Sequence, residues 1–161
     1  MSLPVRAFVA IGANLENPEA KVRAAFTALE GLPRTRLVAR SSLYRTAPVG
    51  VTGQPDFINA VAAVDTTLTP RALLTALLEL ERAHGRRRDV PLAPRTLDLD
   101  LILHGEAIIH EPDLSVPHPR AHLRAFVLVP LAEIAPALVI PGAGPVAALL
   151  AGVADQAIER L

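Results

Sequence analysis

The chain has 161 residues, a length that favours one domain with a substantial hydrophobic core. Hydrophobic residues make up 51% of it and charged residues 20%, and the formal net charge is zero, which excludes a disordered chain and a strongly basic nucleic-acid-binding protein. The absence of cysteine excludes disulfides, thiolate zinc sites and cysteine nucleophiles, and we expect a single cytoplasmic domain over residues 1–161 with no nucleic-acid or membrane partner.

The N-terminal segment predicts a strand followed by a helix. Residues 6–14 form an apolar, β-rich run that Gly12 interrupts, as in a strand that enters a tight turn. The run is far too short to span a bilayer, and no cleavable signal pattern surrounds it. Asn17 offers an N-cap and Pro18 a favourable first helical residue, so we expect a helix from there to Gly31.

The middle of the chain predicts a hairpin and a second helix. Residues 35–46 and 56–66 are extended segments on either side of a stretch rich in glycine and proline, a pattern typical of two strands joined by a long loop. Thr69 and Pro70 repeat the combination of a cap and a proline. Leucines at helical spacing then carry the helix to Gly85.

The last third of the chain predicts a strand, a turn and a mixed tail. The strand covers residues 96–103, "TLDLDLIL", and the turn follows at His104 and Gly105. Residues 117–136 predict a helical stretch broken by prolines, before a short strand near 137–140 and a small C-terminal helix. The order strand, helix, strand, strand, helix, strand is the ferredoxin-like arrangement of an α+β protein.

Two aspartates lie inside the strand 96–103. Side chains alternate along a strand, so one face carries Leu97, Leu99, Leu101 and Leu103 and the other Thr96, Asp98, Asp100 and Ile102. Two carboxylates on one face raise each other's pKa unless a cation lies between them. Mg²⁺ suits such a position because it takes hard oxygen ligands and shares its shell with phosphates. The alternative is a solvated outer face of an antiparallel strand.

Basic residues lie next to the acidic strand. Arg86, Arg87 and Arg88 precede it and Arg95 opens it, so together they either form a solvated loop or clamp a polyphosphate through bidentate contacts. Glu81 lies on the apolar stripe of the second helix and therefore needs a partner. That partner is Arg86 or another arginine in a salt bridge, or else Glu81 takes a direct part in the site.

Further candidates lie outside these two segments. His118 and Arg124 can donate hydrogen bonds to phosphate oxygens, although a structural role is the alternative for the histidine. Phe57 and Phe126 are two of only four phenylalanines, and they either pack in the core or sandwich a flat heterocycle. Asn59 is then placed to bind the edge of that heterocycle.

Seven segments, in order along almost the whole chain, resemble the 6-hydroxymethyl-7,8-dihydropterin pyrophosphokinase family. They are "AIGANL" (10–15), "SSLYRTAPVG" (41–50), "QPDFINAV" (54–61), "LERAHGRRR" (80–88), "PRTLDLDLIL" (94–103), "VPHPRAHLRAFVLVPLAEIAP" (116–136) and "PALVIP" (136–141). Any one could arise by chance, whereas seven in sequence are very specific.

The resemblance implies a fold and a reaction. The fold is a ferredoxin-like, three-layer α-β-α sandwich around a mainly antiparallel sheet. The reaction transfers pyrophosphate from ATP to the hydroxymethyl group of a reduced pterin and releases AMP, because the pterin oxygen attacks the β-phosphorus. ATP and the pterin are the expected partners, two Mg²⁺ ions the expected cofactors, and a monomer the expected state.

The resemblance also implies roles for individual residues. Those of the catalytic centre are Arg86, Arg88, Asp98 and Asp100, with the two aspartates as magnesium ligands. The nucleotide-side residues are Glu81, Arg86, Arg88, Arg95, Leu101, His118 and Arg124. The pterin-side residues are Thr46, Pro48, Val49, Phe57, Asn59, Asp98 and Phe126. Phe57 replaces a Tyr of some members and lacks only its hydroxyl. Leu92 replaces a Trp and the arginine-rich loop is one residue shorter, so we expect this loop to close differently over the site.

Two other functions fit parts of the pattern. A different metal-dependent nucleotidyl or phosphoryl transferase also uses paired carboxylates, and an ordinary kinase is distinguished by its product, ADP instead of AMP. A ferredoxin-like RNA-binding module needs exposed aromatics and a basic sheet face, where "RTLDLDLIL" supplies acid.

Overall fold

A computed structural model describes residues 3–14, 16–47, 55–84 and 97–161. Short 3₁₀ turns also occur, at Ala121–Leu123 and Leu150–Val153. The strands and helices, numbered in chain order, are β1 (Val5–Ala13), α1 (Pro18–Glu30), β2 (Thr35–Arg40), β3 (Tyr44–Thr46), β4 (Phe57–Thr66), α2 (Pro70–Ala83), β5 (Asp98–His104), β6 (Ile109–Glu111), β7 (Leu114–Val116), α3 (Ala125–Ile134), β8 (Val139–Ile140), β9 (Gly144–Pro145), α4 (Val146–Leu149) and β10 (Glu159–Arg160).

The main sheet has the strand order β10-β3-β4-β1-β5, and β2 also pairs with β4. All of these pairs are antiparallel, and β6-β7 and β8-β9 form two small separate sheets. The predicted hairpin is confirmed, since both β2 and β3 pair with β4. This order places β4 and β1 at the centre, with β3 next to β4 and β5 next to β1, as the ferredoxin-like arrangement requires.

Two hydrophobic clusters lie on opposite faces of the sheet. Helices α1 and α2 bury Phe26, Leu29 and Leu73 on one face. Helix α3 buries Leu128 and Leu131 on the other. Alternation along each strand supplies both clusters with side chains. The predicted α+β class, with three layers around a mainly antiparallel sheet, is therefore confirmed.

The two long helices begin as predicted, but only one has the predicted cap. Thr69 caps α2, because its hydroxyl oxygen accepts the N–H of Ala72 at 3.1 Å. Asn17 instead has left-handed backbone angles and makes no side-chain cap bond, so the predicted cap of α1 is wrong. Pro18 favours this helix start through its fixed φ.

A bulge in β5 divides the leucines that were expected on one face. Val9 pairs with Leu101 and Phe8 pairs with Leu103, which leaves Ile102 as an extra residue between them. An extra residue reverses the alternation that follows it. Leu103 therefore lies with Ile102 in the α3-side cluster, and its predicted place beside the other leucines is wrong.

The turn after β5 begins one residue later than predicted. His104 is still part of the strand and is buried, with its Nε2 2.9 Å from the carbonyl oxygen of Leu68. Gly105 has a φ of 58°, and a Cβ there would lie 2.7 Å from a methyl carbon of Val5. The turn therefore requires glycine.

The helical part of the tail is shorter but more continuous than predicted, since the stretch expected over 117–136 forms an α-helix only over Ala125–Ile134. Helix α3 runs through Pro130, although we expected prolines to break this stretch. Five of its ten residues are buried, and packing on the sheet outweighs the loss of one helical hydrogen bond. The predicted short strand and small C-terminal helix occur as β8 and α4. In the described ranges, no helix combines the length and the apolarity that a membrane crossing requires.

A carboxylate on α3 ties this helix to the β3 side of the sheet. Glu133 accepts hydrogen bonds from the N–H and hydroxyl of Ser42 at 2.9 and 2.8 Å, and from the hydroxyl of Tyr44 at 2.7 Å. Burial raises the pKa of Glu133, but the bonds from Tyr44 and Ser42 outweigh burial and lower it. Burial and the bond to Glu133 raise the pKa of Tyr44 to about 12.

The lowered pKa of Glu133 predicts a stability that declines in acid. The carboxylate is more acidic in the folded chain than in the unfolded chain, so its stabilising effect is complete above the unfolded pKa and is lost as pH falls through the folded one. Between about pH 7 and about pH 3, Glu133→Gln should therefore lose less free energy of unfolding than the unchanged chain. Urea unfolding across this range measures both losses, and equal losses would contradict the assignment.

Candidate active site

Polar side chains form a row across the α3 face of the sheet. Gly12 pairs with Asn59 on one side and with Asp98 on the other. Asp100 pairs with Ala10, which packs against the α3-side cluster. Directly paired residues of antiparallel strands point to the same face, so both aspartates and the asparagine lie on the α3 side. Both aspartates are partly buried.

The face of β5 opposite the two aspartates packs in the hydrophobic core and holds the strand in place. Leu97, Leu99 and Leu101 are buried in the cluster beneath α1 and α2. The predicted core role of the leucine face is therefore confirmed for these three residues. The predicted nucleotide contact of Leu101 stays a prediction.

A buried carboxylate binds the backbone of β5, the end strand of the described sheet. Glu81 of α2 is only 1% exposed, and its Oε2 accepts the backbone N–H of Leu99 at 2.6 Å. This N–H lies between the two aspartates in sequence, so the bond fixes the strand where they project. We expected Glu81 either to pair with an arginine or to take a direct part in the site. Neither expectation included a hydrogen bond from the backbone of β5.

The segment before α3 brings a histidine against β5. The N–H of His118 donates to the carbonyl oxygen of Ile102 at 2.9 Å. Burial, then the charge of Arg124, lowers the pKa of the ring, whereas Asp98 raises it. The net shift is downward, which favours a neutral ring. The N–H of Arg120 donates to Nδ1 at 3.2 Å, so the proton of the neutral ring lies on Nε2.

An arginine and an aromatic ring form a corner at the start of α3. The guanidinium carbon of Arg124 lies 5.3 Å from the centroid of the Phe126 ring, within the range of a cation–π contact. Arg124 is extended and immediately precedes the helix. Phe126 is only partly buried and packs against the α3-side cluster, so it is not a fully enclosed core residue.

Two residues of β4 and one of β3 share the face that α3 covers. Phe57 is two residues from Asn59, so their side chains project to the same side, and Phe57 is partly exposed. Asn59 is buried, and its amide donates to the hydroxyl oxygen of Thr46 at 2.7 Å. This bond fixes the orientation of the amide. Thr46, Phe57 and Asn59 are thus brought together as predicted.

The aspartates fit a magnesium ion that is shared with a substrate. Across the described ranges, no group of three or more His, Asp or Glu side chains could hold a metal by itself. Mg²⁺ is commonly held by one or two carboxylates together with waters and phosphate oxygens. Asp98 and Asp100 on one face of a fixed strand supply the carboxylate share of that set.

Several predicted residues lie outside the described part of the chain. These are Pro48, Val49, Arg86, Arg88 and Arg95, and also Leu92 of the arginine-rich loop. Sequence reasoning treated Gly12 only as a strand breaker and missed its place between Asn59 and Asp98. A Cβ on Gly12 would lie 3.1 Å from Oδ1 of Asn59. A glycine inside a strand is a general signal of such close approach.

Comparison with known proteins identifies similar sequences over almost the whole chain. A family model described as 7,8-dihydro-6-hydroxymethylpterin-pyrophosphokinase (HPPK) matches residues 8–136. A 2-amino-4-hydroxy-6-hydroxymethyldihydropteridine pyrophosphokinase of Pseudomonas aeruginosa is 49% identical over 156 residues, which cover 97% of this chain and 96% of that one. The protein of the same name from Haemophilus influenzae is 41% identical over 157 residues and 98% of each chain.

Solved structures share the fold. Two crystal structures of Plasmodium falciparum HPPK-DHPS match 99% and 91% of this chain with TM-scores of 0.74 and 0.71. Their sequences are 11% and 14% identical to this one, so the likeness concerns the fold alone. This chain covers 48% and 44% of those longer chains.

Proposed function

The chain belongs to the 7,8-dihydro-6-hydroxymethylpterin-pyrophosphokinase family, and on that basis we propose that the α3 face of its sheet is the active site. The enzyme transfers pyrophosphate from ATP to the hydroxymethyl group of 6-hydroxymethyl-7,8-dihydropterin, a step of folate biosynthesis. The observation that carries the site assignment is the row Asn59, Gly12 and Asp98, which places a fixed amide and a carboxylate on one face.

The reaction is a displacement at phosphorus. The hydroxyl oxygen of the pterin bonds to the β-phosphorus of ATP and gives up its proton to solvent. The bond from that phosphorus to the α–β bridging oxygen breaks, so AMP leaves with this oxygen. The protein contributes position and charge to such a reaction more than covalent chemistry. Residues that orient the two substrates therefore account for most of the catalysis.

We assign the metal-binding role to Asp98 and Asp100, which would hold two Mg²⁺ ions against the phosphates. When bound, such ions neutralise charge on phosphate oxygens and orient them. Support comes from the two carboxylates on one face and from the hydrogen bond of Glu81 that fixes the strand between them.

The phosphates lie, in this proposal, against cationic and neutral donors. Arg124 offers a guanidinium, and neutral His118 offers the N–H of Nε2. The loop arginines Arg86 and Arg88 are proposed to close over the triphosphate and Arg95 to shape the adjoining pocket. Glu81 and Leu101 are proposed to support β5 from the α1 and α2 side of the sheet.

The pterin is proposed to lie between two rings. Phe57 and Phe126 stack on its faces, and Asn59 binds its polar edge with the N–H and the Oδ1 that remain after the bond to Thr46. Pro48 and Val49 are assigned to the same subsite. Burial of the asparagine makes this recognition selective, because an analogue without matching polar groups leaves the amide unpaired.

The product distinguishes this activity from that of other phosphoryl transferases. The chain is incubated with ATP, Mg²⁺ and reduced hydroxymethylpterin, and phosphorus NMR then identifies the products. We expect AMP and a pterin diphosphate ester. ADP with a pterin monophosphate would instead indicate an ordinary kinase and overturn the proposed function.

Gly12→Ala is expected to raise KM for the pterin by about tenfold, because misplacement of a substrate-orienting group is costly. The added Cβ would press on Oδ1 of Asn59, which its bond to Thr46 holds in place. Gly152→Ala is the matched control, since a Cβ there meets nothing within 4 Å. Steady-state kinetics measure both variants, and an unchanged pterin KM in Gly12→Ala would remove Asn59 from the subsite.

The proposal also covers the domain organisation, the oligomeric state and the cellular location of the enzyme. We propose that residues 1–161 form one pyrophosphokinase domain, that the enzyme is a monomer and that it acts in the cytoplasm, where ATP is available. Light scattering on the purified chain tests the monomer, because a dimer has twice the mass.

A further inference from the structure

We infer that Gln156, a residue of the C-terminal segment, is a positioning residue for the corner formed by Arg124 and Phe126. The inference rests on the proposed function, which places this corner between the nucleotide and the pterin. Gln156 lies beyond residues 8–136, the part of the chain that the family model matches. It contacts the backbone on both sides of Arg124.

The side-chain amide of Gln156 makes two hydrogen bonds to this corner. Its Oε1 accepts the N–H of Ala125 at 2.8 Å, and its Nε2 donates to the carbonyl oxygen of Leu123 at 2.8 Å. Both distances lie within the ordinary range of N–H···O hydrogen bonds. A planar amide that binds two backbone groups at once restrains rotation of the peptide units that flank Arg124.

Gln156 replaces a cap that the local sequence lacks. The first N–H groups of a helix have no partner within it, and an N-cap side chain usually supplies one. Arg124 occupies the N-cap position of α3 and makes no such bond. The N–H of Ala125 is bonded instead to a residue that is 31 positions later in the chain. The start of α3, and Phe126 with it, is therefore fixed from the C-terminal segment.

Gln156 is itself anchored on both sides. Its N–H donates to the carbonyl oxygen of Val153 at 3.0 Å, and Val153 is buried in the α3-side cluster. Ile158 packs against the same cluster, and β10 follows directly and pairs with β3. The residue is exposed, yet its backbone is held between two fixed points. An anchored amide of this kind can determine where Arg124 and Phe126 lie.

The test compares Gln156→Ala and Gln156→Glu with the unchanged enzyme. Steady-state kinetics give kcat and the KM for each substrate, and thermal unfolding gives Tm. Gln156→Ala loses both hydrogen bonds. Gln156→Glu keeps an acceptor for Ala125 and adds a negative charge that favours a helix N-terminus, but it cannot donate to Leu123. Glu159→Gln is the control, because it alters an exposed ion pair with Arg45 in the same segment.

We expect the KM for the pterin to rise about tenfold in Gln156→Ala, because the stacking ring and the asparagine no longer align. Gln156→Glu should also raise this KM while its Tm stays at or above that of the unchanged enzyme. Glu159→Gln should leave the KM unchanged. A purely structural role predicts instead that the pterin KM follows Tm across the variants, and that result would overturn the inference. An unchanged pterin KM in Gln156→Ala would overturn it as well. If the unchanged enzyme forms no AMP, the proposed function itself fails.

Discussion

Replacing Asp98 or Asp100 with asparagine is expected to lower kcat by about 10²- to 10⁴-fold, which corresponds to about 3–5 kcal/mol of lost transition-state stabilisation. Each change removes a charged oxygen ligand and keeps nearly the same shape. The leucines on the opposite face of β5 stay buried in the core, so the fold should persist. The loss should therefore appear in catalysis and not in the free energy of unfolding.

Steady-state rates and urea unfolding separate these two effects. Asp65→Asn is a suitable control, because Asp65 lies near the far end of β4, where it pairs with Arg6. It should retain normal turnover. Near-normal rates in either active-site variant would contradict the metal role of that residue, whereas equal losses of rate and stability would indicate a structural one.

Glu81→Ala is expected to lower the free energy of unfolding by about 2–4 kcal/mol. The change leaves a cavity beneath α2 and removes the acceptor of the Leu99 N–H at the edge of β5. Turnover should also fall, since this edge fixes the strand that carries Asp98 and Asp100. Glu81→Gln keeps an oxygen that can accept the same N–H and should cost less than half as much.

Urea unfolding of Glu79→Ala provides the matched control. Glu79 lies on the same helix and is exposed, so its removal should change the free energy of unfolding by less than about 0.5 kcal/mol. Equal effects in the two alanine variants would show that the bond to Leu99 is not needed for stability. If Glu81→Ala loses activity at full stability, the side chain instead acts directly on the nucleotide.

The order of elements could be predicted because it depends on local signals. Thr69 with Pro70 identified the start of α2, and alternating polarity identified β5. The bulge at Ile102 could not be predicted, because it depends on how β5 pairs with β1. Asparagine is a common N-cap residue, but the left-handed backbone of Asn17 prevents that role. Local sequence therefore predicts which elements form better than it predicts how they end and pair.

The same division applies to the active site. Alternation alone placed Asp98 and Asp100 on one face, since only the strand period was needed. The Leu99 N–H donates to Glu81, 18 positions away. Gln156 bonds to residues 31 and 33 positions away at the start of α3. No local pattern encodes such contacts. The support around a site is thus less predictable than the residues that perform its chemistry.

A crystal structure with magnesium and a non-hydrolysable ATP analogue tests the central claim most directly. The account predicts metal density bound by carboxylate oxygens of both Asp98 and Asp100, with the triphosphate on its other side facing Arg124. A nucleotide bound elsewhere, or one whose magnesium touches neither aspartate, would contradict it.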